Sequence, residues 1–263
     1  MPEGDTIHRV AAKMRKQLGS GPLTSFAVRA SGVVPGARNP EAGDPISSVA
    51  ARGKHLLVRF GNGTTLHTHL GMLGAWRISA GGPPPRLPHA RTGVAMATAA
   101  AEALCRSAPV VELLDDASVK RHQVLRALGP DLCVAGVDLD DAVRRARAGD
   151  AERAIGEVLL DQRVAAGIGN VYRSEVLWAC HVDPWATLGA MPDDDVYDLY
   201  ATAARLLQAN LTIRGPRRTV PEGLAVYERT GRACLRCRTP IRAAAIGAQA
   251  RTAWWCPACQ TPR

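Results

Sequence analysis

The chain has 263 residues, a formal net charge of +9 and a pI near 9.6. That length excludes a staple-dependent miniature, and the charge favours a polyanionic partner over an acid-repelling or neutral one. No run of eighteen apolar residues and no charged-then-apolar leader is visible, so neither a membrane span nor a secretory signal is expected and a cytoplasmic, nucleoid-associated location is the default.

The opening residues, Met1-Pro2-Glu3, permit removal of the initiator, which would expose the secondary amine of Pro2, a potential nucleophile. Ile7, Val10, Ala11, Met14 and Leu18 then recur at helical spacing and predict an amphipathic helix, with Asp5 or Thr6 as its cap and Gly19 at its end. A helix docked by that face would hold the amine in a fixed place, as catalysis requires.

From Leu23 to about Leu114 short alternating runs broken by Gly, Pro and Asn predict a β-sandwich or barrel-like domain. "HLLVRF" and "TTLHTHL" around Gly61-Asn62-Gly63 form a hairpin, "AWRI" a further strand, and "GGPPPRLP" at 81–88 a surface loop. His67 and His69 alternate along one strand with no carboxylate cluster beside them in sequence, and are expected to be structural.

From about Val124 the period becomes helical. The stretch "DLDDAVRRARAGDAERAIGEVLLDQ" predicts two helices broken near Gly149, with Ile155, Val158, Leu159 and Gln162 on one face of the second. Gly167 and Gly169 flank a tight turn before another helix, which Asn170 would cap. A last helix from Asp193 to Asn210 leads into the basic linker "IRGPRRTVPEG". The expected divisions are 1–123, 124–215 and 216–263.

Of the seven cysteines, Cys105, Cys133 and Cys180 sit among apolar neighbours and read as core residues. The other four form "CLRC" and "CPAC", Cys234, Cys237, Cys256 and Cys259, with eighteen residues between the pairs. That spacing is a strong zinc signal, whereas disulfides would call for an oxidising compartment. Four protein thiolates leave no position for water, so one structural zinc ion is expected and no organic cofactor. Trp254 and Trp255 read as core of this small module. Residues 210–263 also hold ten arginines against two acidic residues, a field suited to nucleic acid.

Taken together, Pro2-Glu3, "RGKHLLVRF", "DQRVAAGIGN" and the finger "VYERTGRACLRCRTPI" resemble the formamidopyrimidine-DNA glycosylase and endonuclease VIII family of base-excision repair, closer to the endonuclease VIII branch. The resemblance spans nearly the whole chain. It implies an α+β multidomain fold: an N-terminal helix plus β-sandwich, a helical helix-two-turn-helix domain and a C-terminal four-Cys zinc finger, the first two facing each other across a cleft that holds bent DNA. It also implies a bifunctional glycosylase and AP lyase acting as a monomer on damaged DNA, duplex or single-stranded.

By that resemblance Pro2 is the nucleophile, Glu3 its acidic partner, Lys54 a phosphate-binding group that assists elimination, and Arg251 the finger arginine. Asn170 grips the DNA backbone, Met72 fills the void of a flipped base, and Arg126 and Gln162 are further DNA contacts. Thr6 replaces a second acid, Gly71 a polar residue of the endonuclease VIII branch, and Ala127 an arginine. Residues 92–109 lack the aromatic that would complete the wedge. The connection from Leu211 to Ala225 is short for a segment that covers an everted purine, so oxidised pyrimidines are expected over 8-oxoguanine. The competing reading is a zinc-finger damage sensor that keeps the scaffold without the chemistry.

Overall fold

The first helix begins one turn earlier than its apolar spacing suggests, because Glu3 caps it. In the computed structural model, which describes residues 2–29, 32–33, 36–81, 91–211 and 223–261, α1 runs Gly4–Leu18 with Glu3 as N-cap. Neither Asp5 nor Thr6 is the cap; both lie inside the helix, and Thr6 answers Glu3 in a reciprocal capping box. Ile7, Ala11, Met14 and Leu18 are buried as the spacing requires. The proline-rich stretch 82–88 and the linker at 213–222 lie outside the described residues.

Among the described residues nine strands follow: β1 (Leu23–Val28), β2 (Gly32–Val33), β3 (Ile46–Arg52), β4 (His55–Phe60), β5 (Thr64–His69), β6 (Ala75–Ala80), β7 (Thr92–Thr98), β8 (Ala101–Arg106) and β9 (Val110–Asp115). They form a four-stranded sheet ordered β1-β7-β8-β6 and a five-stranded sheet ordered β2-β9-β5-β4-β3. One core joins α1 to both: Met14 and Leu18 cluster with Val58, Leu66 and Leu113 of the larger sheet and with Val94, Met96 and Cys105 of the smaller. Truncating any of the larger of these side chains to alanine would cost about 2–5 kcal/mol.

Helix starts before Val124, not at it. Asp115 ends β9 and accepts from the Ser118 amide at 2.6 Å, capping α2 (Asp116–Arg121), and α3 (Gln123–Ala127) follows. The chain packs as two compact units, Met1–Arg126 and Ala127–Arg263.

The second unit contains α4 (Leu139–Arg147), α5 (Ile155–Val158), α6 (Asn170–Ala179), α7 (Asp193–Ala209) and the hairpin β10 (Arg242–Ile246) and β11 (Arg251–Trp255). The helix expected through Gln162 is one turn only. After Val158 the backbone tightens, with the Asp161 amide donating to Val158 O and the Val164 amide to Asp161 O. Tyr172, Val176 and Leu177 of α6 join Leu199, Ala203 and Leu207 of α7 in the core. The four-cysteine module belongs to this same unit, where Trp178, Val226, Ile241 and Cys256 form a smaller cluster. Among the described residues no helix is long and apolar enough to cross a membrane.

Candidate functional site

In the N-terminal unit Pro2 stands directly before the cap of α1, and Glu3 is only 2% exposed. Helix docking therefore fixes both backbone positions. Lys54 occupies the second place of the two-residue loop between β3 and β4, whose first place, Gly53, has φ +54. Glycine at that position suits the tight hairpin turn that sets Lys54 at the strand ends.

A second turn, from Leu70 to Gly74, presents Met72 at 69% exposure and Leu73 at 84%. The sequence singles out Met72, and the structure exposes its neighbour Leu73 on the same turn. The turn also explains Gly71. Its φ is +57, and a Cβ there would lie 2.7 Å from Pro109 Cγ, so a larger residue is excluded unless the proline ring moves. Arg126, at the end of this unit, is exposed in α3.

The expectation that His67 lacks a carboxylate partner is corrected by the strand register, which sets Glu112 of β9 directly opposite it. His67 Nδ1 lies 2.7 Å from Glu112 Oε2, His122 Nε2 3.2 Å from the same oxygen, and His67 Nε2 2.9 Å from His55 Nδ1. Burial, with His67 next to it, pushes the His55 imidazole down to about 3. Burial lowers His67 too, against the opposing pull of Glu112, and it lowers His69, with Lys54 adding to the effect. Burial thus disfavours the charged imidazolium at all three.

In the second unit Gly169, not Asn170, is the N-cap of α6. Asn170 Nδ2 instead donates to Thr252 O at 3.0 Å, and the Arg173 guanidinium donates to the same carbonyl. These paired hydrogen bonds to β11 hold Arg251, the preceding residue, beside the start of α6. Arg251 lines a cavity of about 320 Å³ together with Arg153, Glu157, Asp161, Arg163 and Arg173. Within that wall Asp161 accepts from Arg163 Nη2 at 2.7 Å and Arg153 Nη1 at 3.2 Å, and the Arg163 bonds hold its carboxyl at about 2.

Gln162, expected as a DNA contact, is occupied within its own turn. Its Nε2 donates to Leu160 O at 2.8 Å and Ile168 O at 2.9 Å, and its Oε1 accepts from the Gly167 amide at 3.1 Å. Both amide hydrogens are spent, so Gln162 staples the turn.

The four finger cysteines converge. Sγ–Sγ separations are 3.9 Å for Cys234–Cys259 and 3.4 Å for both Cys237–Cys256 and Cys237–Cys259. These are far above a disulfide's ~2.05 Å and near the ~3.8 Å edge of a tetrahedron with metal–sulfur bonds of about 2.3 Å. The cluster can therefore hold a metal ion. Thr239, through its side chain and amide, lowers the Cys237 thiol, whereas burial and the neighbouring cysteines raise those of Cys256 and Cys259. Glu175 anchors the entry to the module by accepting from the amides of Ala225, Val226 and Tyr227 at 2.8–3.0 Å. Arg236 stacks over Trp178, its guanidinium carbon 3.7 Å from the ring centroid. Trp254 packs on Tyr227 and Trp255 on Trp185, ring centroids 4.6 and 4.5 Å apart, but both are half-buried and not the core residues the sequence led us to expect.

Comparison with known proteins bears on the whole of this arrangement. Residues 1–107 match the formamidopyrimidine-DNA glycosylase N-terminal domain and residues 128–220 the formamidopyrimidine-DNA glycosylase H2TH domain. A Streptomyces coelicolor protein named "Probable endonuclease 8 2" is 39% identical over 272 residues, covering 99% of this chain and 94% of its own. A DNA-(apurinic or apyrimidinic site) lyase of Mycolicibacterium smegmatis is 36% identical over 268 residues, 99% of both chains. In three dimensions the chain resembles a Lactococcus lactis formamidopyrimidine-DNA glycosylase bound to DNA containing an AP site, with a TM-score of 0.81 at 23% identity over 99% of this chain and 100% of the other.

Proposed function

Since the chain belongs to the formamidopyrimidine-DNA glycosylase and endonuclease VIII family, and is thereby a DNA glycosylase and AP lyase of base-excision repair, we propose that Pro2 is its nucleophile and Glu3 the acid beside it. The observation that carries this reading is the buried Glu3 cap on a packed helix, which holds the residue next to the amine in one place.

A secondary amine at the chain start has a pKa of about 8, so a useful fraction is neutral near pH 7. Its lone pair attacks C1′ of the damaged nucleotide, the base departs with the N-glycosidic electron pair and takes up the proton shed by the amine, and opening of the sugar ring turns the resulting aminal into a covalent iminium. Glu3 protonates the ring oxygen as the sugar opens. The iminium acidifies the C2′ proton; its loss expels the 3′-phosphate, and a second elimination releases the 5′ side. Lys54 and Arg251 stabilise the departing phosphates, and Arg126 and Asn170 hold the flanking backbone. Met72 and Leu73 fill the space left by the everted base.

In this reading 1–123 carries the nucleophile and its acid, while 124–215 and 216–263 hold the DNA and Arg251 adds charge for the departing phosphates. Zinc is the ion that suits four converging thiols; Cys234, Cys237, Cys256 and Cys259 would hold it, and it would supply structure to a module too small to fold on its own core. The short 211–225 connection favours oxidised pyrimidines over 8-oxoguanine, and a wedge drawn from one turn favours single-stranded or bubble DNA, where unstacking costs less.

Borohydride reduction in the presence of abasic-site DNA tests the nucleophile. The mature protein should begin at Pro2 and be trapped covalently, and an N-terminal tag should abolish trapping; equal trapping with a blocked terminus would move the role to a lysine. Turnover of defined oligonucleotides tests the lesion class, and faster release of 8-oxoguanine opposite cytosine than of any oxidised pyrimidine would overturn that part.

A further inference from the structure

We propose that His67, Glu112 and His122 form a second cation site, separate from the cysteine cluster, for a divalent transition-metal ion. His67 Nδ1 and His122 Nε2 approach one carboxylate oxygen, Glu112 Oε2, at 2.7 and 3.2 Å. All three donor atoms lie within 4.8 Å of one another. An ion bound at about 2.0–2.2 Å to each ligand requires donor separations near 3 Å, which small side-chain shifts supply here.

The fold assembles these donors from three places. Cross-strand register puts His67 of β5 opposite Glu112 of β9, and α2, capped by Asp115, returns His122 to the same point. An outer partner is also in position: His67 Nε2 is 2.9 Å from His55 Nδ1, and a metal-bound imidazole is commonly oriented by a bond from its other nitrogen. Loading would place the His67 proton on Nε2, donated to His55, and the His122 proton on Nδ1. The second change gives up the 3.3 Å bond from the Leu125 amide to that nitrogen. No ring proton is lost in the exchange; three of them change nitrogen, since His55 must carry its own on Nε2 for its Nδ1 to accept from His67.

Glu112 and His122 side chains are 29% and 17% exposed, whereas His67 is at 2%. Water can therefore complete the coordination from the outer side. Two imidazoles and one carboxylate favour zinc, cobalt or nickel over magnesium or calcium, and the lack of a thiolate makes the site spectroscopically distinct from the finger. A bound ion would tie β5, β9 and the end of α2 together behind His55, the residue that follows Lys54.

Equilibrium dialysis of the full chain against micromolar Zn²⁺ or Co²⁺, with bound metal counted by mass spectrometry, tests the site. Wild type should bind two ions per chain, whereas Glu112→Gln and His122→Gln should bind one, with affinity at the second site reduced about tenfold or more. Cobalt in the second site should add ligand-field bands without sulfur-to-cobalt charge transfer. Cooperative melting before metal addition establishes that each variant is folded. Saturation of wild type at one ion per chain, as a purely hydrogen-bonded His–Glu–His chain would give, overturns the proposal, and so does retention of the second ion by both folded variants.

Discussion

Glu3 and Thr6 hold each other. The Glu3 amide donates to Thr6 Oγ1 at 3.3 Å, and the Glu3 carboxylate accepts from the Thr6 amide. Thr6 therefore serves to position Glu3, a role that a hydroxyl fills as well as an acid would. Thr6→Val should lower stability by about 1 kcal/mol and slow borohydride trapping, because Glu3 loses the partner of its amide. Thr6→Ser should restore both. Equal trapping rates for all three proteins would detach the cap from the chemistry.

At Gly71 two constraints coincide, a φ of +57 and Pro109 Cγ only 2.7 Å from where a Cβ would stand. Gly71→Gln should destabilise by about 1–3 kcal/mol, visible as a lower thermal midpoint. Adding Pro109→Ala should recover the steric part and leave about 1 kcal/mol of left-handed backbone strain. No recovery in the double variant would mean that Pro109 is not the obstacle.

The finger separates metal from contact. Cys237→Ser or prolonged chelation should release the finger ion and weaken DNA binding at least tenfold, about 1.4 kcal/mol, since the module's fold depends on its four ligands. Arg251→Ala should keep the metal and still impair binding or the second elimination. Metal-free protein with full affinity would remove the finger from the interface.

Asp161 links the turn to pH. The Arg163 bonds hold its folded carboxyl at about 2 against an ordinary 3.8. A depressed carboxylate contributes stability that is present above the unfolded value and is lost as pH falls through the folded one. Asp161→Asn should thus cost about 1 kcal/mol at pH 7, after allowing for screening by the exposed Arg163, and the gap from wild type should close between about pH 4 and 2. Urea unfolding of both proteins across that range measures it; a gap that stays constant would mean the bonds survive without the charge.

What the sequence determined by itself was whatever repeats or pairs over a few residues. The spacing of Ile7, Ala11, Met14 and Leu18 marks a buried helical face, Gly61-Asn62-Gly63 marks a hairpin, and two Cys-x2-Cys knuckles mark one cluster that can hold a metal ion, because each pattern carries its own geometry. The ordered set of Pro2-Glu3, the glycine turn and the finger was enough to identify the family. Tertiary structure alone decided how side chains far apart in sequence are employed. His67 meets Glu112 only through the register of β5 on β9, Asn170 reaches Thr252 only through docking of β11 on α6, and Gln162 turns inward because the shortened α5 leaves carbonyls to satisfy. Such contacts are set by strand register and packing over 45 and 82 residues of separation. Local propensity has no information about them, since buried polar groups take whichever partner the assembled core brings within reach.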